Sequence, residues 1–207
     1  DGKYVAVHTY NAESHNQNVW MYDVGRGNKI RLTSAISYET TPIWSPDDSR
    51  IIYTRQSGGH YSIYQRSTRG IDDEFLIYEM RQPGSADDLS RDGKYVLFDK
   101  LAGSPAKWGI WVLRLDTGHK ASPFLQTEFN QLEGRFSPDG KWIAYTSDET
   151  GGYEVSVRPF PGPGQALRIS LGGGRMPRWS RNGKELCYID NEYKVMAVNI
   201  KVTGARA

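Results

Sequence analysis

Cysteine is almost missing from this chain of 207 residues. Cys187 stands alone, which excludes an internal disulfide and any zinc site built on cysteine. An excess of charge is missing too: 26 Lys and Arg face 24 Asp and Glu, interspersed, for a formal charge of +2. No dedicated nucleic-acid or polyphosphate surface is expected from that balance. No apolar run approaches the length of a membrane span, so no membrane insertion by this segment is expected, and no basic stretch leads into an apolar one as in a secretory signal. Sustained helical periodicity is absent. So are the glycine-rich loop with its lysine, H-R-D and D-F-G of a kinase and the G-x-S-x-G of an α/β-hydrolase. What the chain has in quantity is turn formers and strand formers, with 22 Gly, 10 Pro, 13 Tyr and 6 Trp, the mixture of an all-β protein.

Its organisation is a repeat. The segments W-S-P-D-D-S-R from Trp44, L-S-R-D-G-K from Leu89, F-S-P-D-G-K from Phe136 and W-S-R-N-G-K from Trp179 are one motif, and the D-G-K at Asp1 is half of a fifth copy. Along the column Asp1, Asp47, Asp92, Asp139 and Asn182 the spacings are 46, 45, 47 and 43, the period of four-stranded propeller blades. Each copy reads as a hairpin turn. Pro46 and Pro138 preset φ, while Gly93, Gly140 and Gly183 supply a positive φ that Asp48 must supply in the second copy. The strand after the turn is apolar on both faces. One column holds Val5, Ile51, Val96, Ile143 and Leu186, the next Ala6, Ile52, Leu97, Ala144 and Cys187, and the third Val7, Tyr53, Phe98, Tyr145 and Tyr188. A sheet sandwiched between two others needs that pattern. A further strand is anchored at Val19, Ile63, Ile110, Val155 and Val195, with a weaker outer run in each of the first four repeats.

The expectation is a single β-propeller domain or fragment over 1–207, made of four-stranded antiparallel blades whose repeats start near 1, 39, 85, 132 and 175. The first blade lacks its innermost strand and the last stops after its third, near Ile200. The chain is therefore expected to be part of a longer protein or of a ring of about six to eight blades. Stacking is obligatory on energetic grounds. Burying a large apolar side chain gains about 1.5–3 kcal/mol, whereas ordering each residue's backbone costs about 1–2 kcal/mol. One blade alone buries too little.

The repeated S-P-D-G-K followed by a strand ending in Tyr resembles the TolB-like, WD-repeat-related β-propeller motif over the whole chain. Residues 133–161 (E-G-R-F-S-P-D-G-K-W-I-A-Y-T-S-D-E-T-G-G-Y-E-V-S-V-R-P-F-P) and 172–188 (G-G-G-R-M-P-R-W-S-R-N-G-K-E-L-C-Y) are similar to propellers found C-terminal to bacterial transmembrane Ser/Thr protein kinases. That resemblance implies a sensor or interaction module on the periplasmic or extracytoplasmic side of a bacterial membrane. A TolB-like periplasmic scaffold is the alternative, and the propeller domain of a serine peptidase or of a pectate-degrading lyase is the enzymatic one.

Candidate chemistry is thin. Ser45, Ser90, Ser137 and Ser180 recur at one position of the repeat, as turn residues do and a single active site does not. Cys187 lines up with two alanines and is expected to be buried and inert. His8, His15, His60 and His119 share no metal-ligand spacing and are expected in solvated loops and blade-edge turns. The acid pairs Asp47 with Asp48, Asp72 with Asp73 and Asp87 with Asp88 are expected in or beside turns. S-L-G-G-G-R (170–175) is followed by a strand, where a phosphate loop needs a helix, and P-F-P-G-P-G (159–164) is a stiff turn. No catalytic, cofactor-binding or metal-binding residue is therefore assigned, and no cofactor. What varies between copies is the polar residues upstream on the inner strands: Glu39 and Thr40, Asp87 and Asp88, Glu133 and Arg135, Arg175 and Arg178. A protein or small ligand is expected at the channel mouth they rim, with Arg135 and Arg178, beside Phe136 and Trp179, as the candidate contacts. Self-association through the open end blades is also expected.

Overall fold

A computed structural model describes residues 2–69 and 74–200, and every regular element in them is a strand. Asp1 of the repeat column and the pair Asp72 and Asp73 lie outside the described residues. Blade 1 has β1 (Tyr4–Asn11), β2 (Asn16–Asp23) and β3 (Lys29–Arg31); blade 2 has β4 (Tyr38–Trp44), β5 (Arg50–Ser57), β6 (His60–Ser67) and β7 (Glu74–Met80). Blade 3 has β8 (Gly84–Leu89), β9 (Tyr95–Ala102), β10 (Lys107–Arg114) and β11 (Lys120–Leu125). Blade 4 has β12 (Gln131–Phe136), β13 (Trp142–Ser147), β14 (Glu154–Pro159) and β15 (Leu167–Arg168), and blade 5 has β16 (Arg175–Trp179), β17 (Glu185–Ile189) and β18 (Val195–Asn199). Within the last three blades the strands follow chain order; one parallel pair, Gln17 with Tyr38, joins β2 to β4, so that β1–β7 form one seven-stranded sheet in which β3 pairs with β2 beside that path. The chain divides into two compact units, residues 1–101 with 112–122 and residues 102–111 with 123–207.

The motif turn is the same object four times. Ser45, Ser90, Ser137 and Ser180 donate their hydroxyls to Asp47, Asp92, Asp139 and Asn182, at 2.6–2.8 Å. Each serine Oγ also accepts the amide five residues on, from Arg50, Tyr95, Trp142 and Glu185. Asp48 takes φ 57°, close to the 69–71° of Gly93, Gly140 and Gly183, as its place in the motif requires. A second bond repeats in all five blades: the amides of Val24, Thr68, Leu115, Phe160 and Ile200 donate to the carbonyls of Lys3, Ser49, Lys94, Lys141 and Lys184 at 2.8–3.0 Å. The blades are therefore in identical register from turn to outer hairpin.

That register gives each face one destination. In the first unit Val19, Met21 and Leu32 of blade 1, with Ala6, pack on Ile51 and Tyr53 of blade 2. In the second, Ala144, Val155 and Val157 of blade 4 pack on Leu186 and Tyr188 of blade 5. The first and third columns therefore face the preceding blade and the middle column faces the following one. Strands β5, β9 and β13 are buried on both sides as expected. Two expectations fail for one reason. Val195 is 73% exposed although its register partner Ile189 corresponds to Thr146, the partner of fully buried Val155. Cys187, on the same face of blade 5, is half-buried, not enclosed. Among the described residues no strand lies against that face.

The buried turns should be the costly ones to cut. Ser137 is 4% exposed, and Ser137→Ala removes both its bond to Asp139 and the acceptor for the Trp142 amide. The expected loss is about 1–3 kcal/mol. Ser180→Ala, in an exposed turn, should cost under about 1 kcal/mol by the same reasoning. Urea unfolding of the two variants checks the difference, and equal losses would contradict it.

Candidate functional site

Each inner strand carries an irregularity opposite the aromatic third column. Between Thr40 and Ile43, Leu132 and Arg135, and Arg175 and Arg178 the register slips so that two residues oppose one, and between Ala86 and Asp88 one extra residue is inserted. Three of these bulges hold a non-glycine residue with positive φ at the same place: Thr41 at 51°, Glu133 at 62° and Met176 at 56°. Such a conformation costs of order 1–3 kcal/mol and persists only where neighbours hold it. Here they do. The Glu133 carboxylate accepts from the Thr146 hydroxyl at 2.6 Å and from the Met176 amide at 2.7 Å, so it ties the bulge of β12 to that of β16. In the first unit Thr54 takes the matching role, with its hydroxyl 3.0 Å from that of Thr41 and accepting the Ala86 amide at 2.8 Å.

On this frame in the second unit sit three arginines. Arg135 and Arg178 occupy equivalent positions, paired with Ala144 and Cys187, and each folds back to donate to the preceding carbonyl, of Gly134 at 3.0 Å and Pro177 at 2.9 Å. Arg135 is half-buried, and its carbonyl accepts the Trp179 indole N–H at 3.2 Å; Arg178 is exposed. Arg175, a rim residue by its place in the sequence, is the better placed. Its guanidinium lies 4.3 Å from the centre of the Tyr153 ring and 3.8 Å from Glu133, with 45% of the side chain exposed. Met176, 55% exposed, stands beside it. The result is an aromatic-backed cationic surface with one partly screened carboxylate, suited to a partner that presents carboxylates.

The other candidates resolve into structure. The amides of Gly172 and Gly173 donate to Glu154 at 2.9 and 3.0 Å, and Ser170 donates to the same carboxylate, so the glycine loop already holds an anion of its own. His8 lies within β1, where a loop was expected; its side chain is exposed. His15 Nδ1 lies 2.8 Å from the Tyr10 hydroxyl, and His119 packs against Phe75. Among the described residues no group of three His, Cys, Asp or Glu is placed to hold a metal ion. Glu39 is not a rim residue at all. Fully buried, it receives Arg55 Nε at 2.9 Å and Asn18 at 3.0 Å, while Arg55 also grips Glu74 at 2.7 and 2.8 Å. Burial opposes ionisation of Glu74, yet hydrogen bonds from Arg55 and Tyr53 outweigh it and hold the carboxyl below the usual range. Burial, then the bond to Glu74, pushes the Tyr53 phenol well above its ordinary value. Sequence could flag Glu39 only through position: its equivalents Gly84, Gln131 and Gly174 are also enclosed.

The turn acids give a pH prediction. Hydrogen bonds from Ser45, then Ser49, hold Asp47 at about 2, and that from Ser90 lowers Asp92. A carboxylate lowered on folding stabilises above its unfolded value and stops doing so as pH falls through its folded one. Thermal midpoints should therefore drop between about pH 4 and pH 2. The drop should be shallower in Asp47→Asn, and an identical profile in that variant would contradict the assignment.

No family model and no curated protein matches the sequence. Solved structures do match. The chain is similar to TolB from Acinetobacter baumannii with TM-score 0.79 at 20% identity, covering 95% of this chain and 53% of that one. It is similar to a TolB structure from Agrobacterium tumefaciens with TM-score 0.75 at 19% identity, over 95% and 76%. A prolyl endopeptidase matches with TM-score 0.68 at 16% identity, over 97% of this chain and 32% of that one. The chain thus spans about half the length of the Acinetobacter TolB. These likenesses show the fold, a TolB-like β-propeller module, and they include both TolB and an enzyme.

Proposed function

We propose that this chain is a non-catalytic protein-interaction or ligand-sensing propeller module, the extracytoplasmic part of a larger, kinase-linked bacterial protein, that recognises a partner presenting carboxylates. The observation that carries the reading is where the polar chemistry sits. In the four described motif turns the serine and the Asp or Asn two residues on are bound to each other, while the residues that differ between blades stand on the bulged inner strands. Arg175 and Arg178, with Tyr153 behind and Arg135 alongside, supply the charge and the aromatic surface of a recognition face. The kinase link rests on the likeness of residues 133–161 and 172–188 to kinase-associated propellers.

A fluorescein-labelled glutamate-rich peptide tests this by anisotropy. The peptide should bind with an affinity that falls as salt rises. Arg175→Ala combined with Arg178→Ala should weaken it about tenfold or more, as removing interface arginines does. A lysine-rich peptide should not bind. Equal binding of both peptides, or none of either, would overturn the partner class. Incubation with a prolyl peptide and with oligogalacturonate plus manganese should leave both intact, and reproducible turnover of either would overturn the non-catalytic reading.

A further inference from the structure

At the end where the motif turns lie, the repeat sets the same cleft between successive blades and fills it with different residues. Where blade 4 meets blade 5 it is closed. Trp142, Ala144 and Val157 of blade 4 belong to one packed cluster with Trp179 and Ile200 of blade 5, and a methyl group on Gly183 would meet Pro138 Cδ at 3.5 Å. Where blade 2 meets blade 3 the equivalent residues are smaller or polar. By place in the motif Arg50 stands for Trp142 and Leu89 for Trp179. By register Gln65, the partner of Ile52, stands for Val157, the partner of Ala144, and the repeated amide bond sets Leu115 in the place of Ile200. A methyl group on Gly93 would meet nothing within 4 Å. What the exchange leaves is a cavity of about 340 Å³ whose whole lining belongs to the first unit. Sites for small molecules run from about 300 to 1,000 Å³.

The chemistry of this cavity divides in two. Ile52, Leu89 and Leu115 give it an apolar part, and Arg50 and Arg91 bring one exposed guanidinium from each wall. Among the described residues neither guanidinium makes a hydrogen bond or an ion pair. The two acids of the lining are engaged in their own turns: Asp47 accepts from the hydroxyls of Ser45 and Ser49 and the Ser49 amide, and Asp92 from the Ser90 hydroxyl and the Lys94 amide. The donors of both arginines therefore remain for an outside acceptor, in the fork that a carboxylate fits. Two arginines against two aspartates leave the lining with no net charge, which suits a monoanion better than a phosphate dianion. We propose that the cleft between blades 2 and 3 binds a small monocarboxylate with an apolar body. Arg50 and Arg91 hold its carboxylate, and Ile52, Leu89 and Leu115 take its body. Arg175 and Arg178 belong to the second unit and have no part in this site.

Titration of the nitrogen-15-labelled chain with 3-phenylpropionate, followed by NMR, decides the matter. Saturable shifts should appear at the amides of Gln65, Gly93 and Leu115, which line the cavity. Arg50→Gln combined with Arg91→Gln, both at exposed positions, should weaken binding about tenfold or more, the scale of hydrogen bonds to a charged group. The alcohol 3-phenylpropan-1-ol, which keeps the body and loses the charge, should bind weaker by a similar factor. Arg50→Trp combined with Leu89→Trp rebuilds the filled cleft of blades 4 and 5 and should abolish binding; the glutamine pair gives the answer should that variant not fold. Absence of any saturable shift, an unchanged affinity in the glutamine pair, or shifts confined to residues 153–178 would overturn the proposal. Tighter binding of inorganic phosphate than of 3-phenylpropionate, or equal binding of the alcohol, would overturn the ligand class.

Discussion

Arg55→Met is expected to destabilise the first unit by about 3–5 kcal/mol, the cost of leaving a buried charge without its partner. Glu39 is 0% exposed, and without Arg55 its carboxylate is left with the neutral Asn18 amide as a donor and no facing cation from β5. Glu39→Ala should cost less. Arg55 retains both its bonds to Glu74, its stack over Tyr64 at 4.3 Å and a partly solvated head. The double change Glu39→Leu with Arg55→Met should recover most of the loss, since well-packed apolar residues replace a buried pair at little cost or with gain. Urea unfolding of the three variants gives the cycle, and additive losses would show that the two residues do not act as a pair.

Phe98→Ala carries the second large effect, about 3–5 kcal/mol, the range for truncating a buried aromatic residue. Phe98 is fully buried in β9, where it packs with Tyr78 at 5.5 Å between ring centres. Val7 holds the same column in blade 1 but is only half-buried, on the face that no described strand covers. Val7→Ala should therefore cost about 0.5 kcal/mol, as surface changes do. A large loss at Val7 would mean that its face is already covered in the monomer.

Much of this fold was legible because its information is local and repeated. The serine, the Asp or Asn two residues on and the residue with positive φ place each turn without reference to any other blade, and the apolar columns follow by counting. The exposed state of Val195 was not legible, because it depends on whether a blade lies alongside and not on the residue. The same holds for Cys187. The candidate site was legible in outline only. The variable polar positions stand out, and Arg135 and Arg178 hold equivalent register positions, but that each donates to the carbonyl just before it is not legible. Arg175 gains its prominence from Tyr153, 22 positions away on the preceding blade's hairpin, a contact no local pattern encodes. Glu39 read as a rim residue because its companions Arg55 and Glu74 come from two further strands.

The central claim is that successive β-sheet blades shield one another, so that protection follows position in the stack. Amide hydrogen exchange by NMR on dilute protein measures this strand by strand. The account predicts slow exchange through β5 and β13, which are buried on both faces, and markedly faster exchange at β1 and β18, whose residues are largely exposed. Protection at β1 and β18 equal to that of β5 and β13 in the monomer, or fast exchange throughout β13, would contradict it.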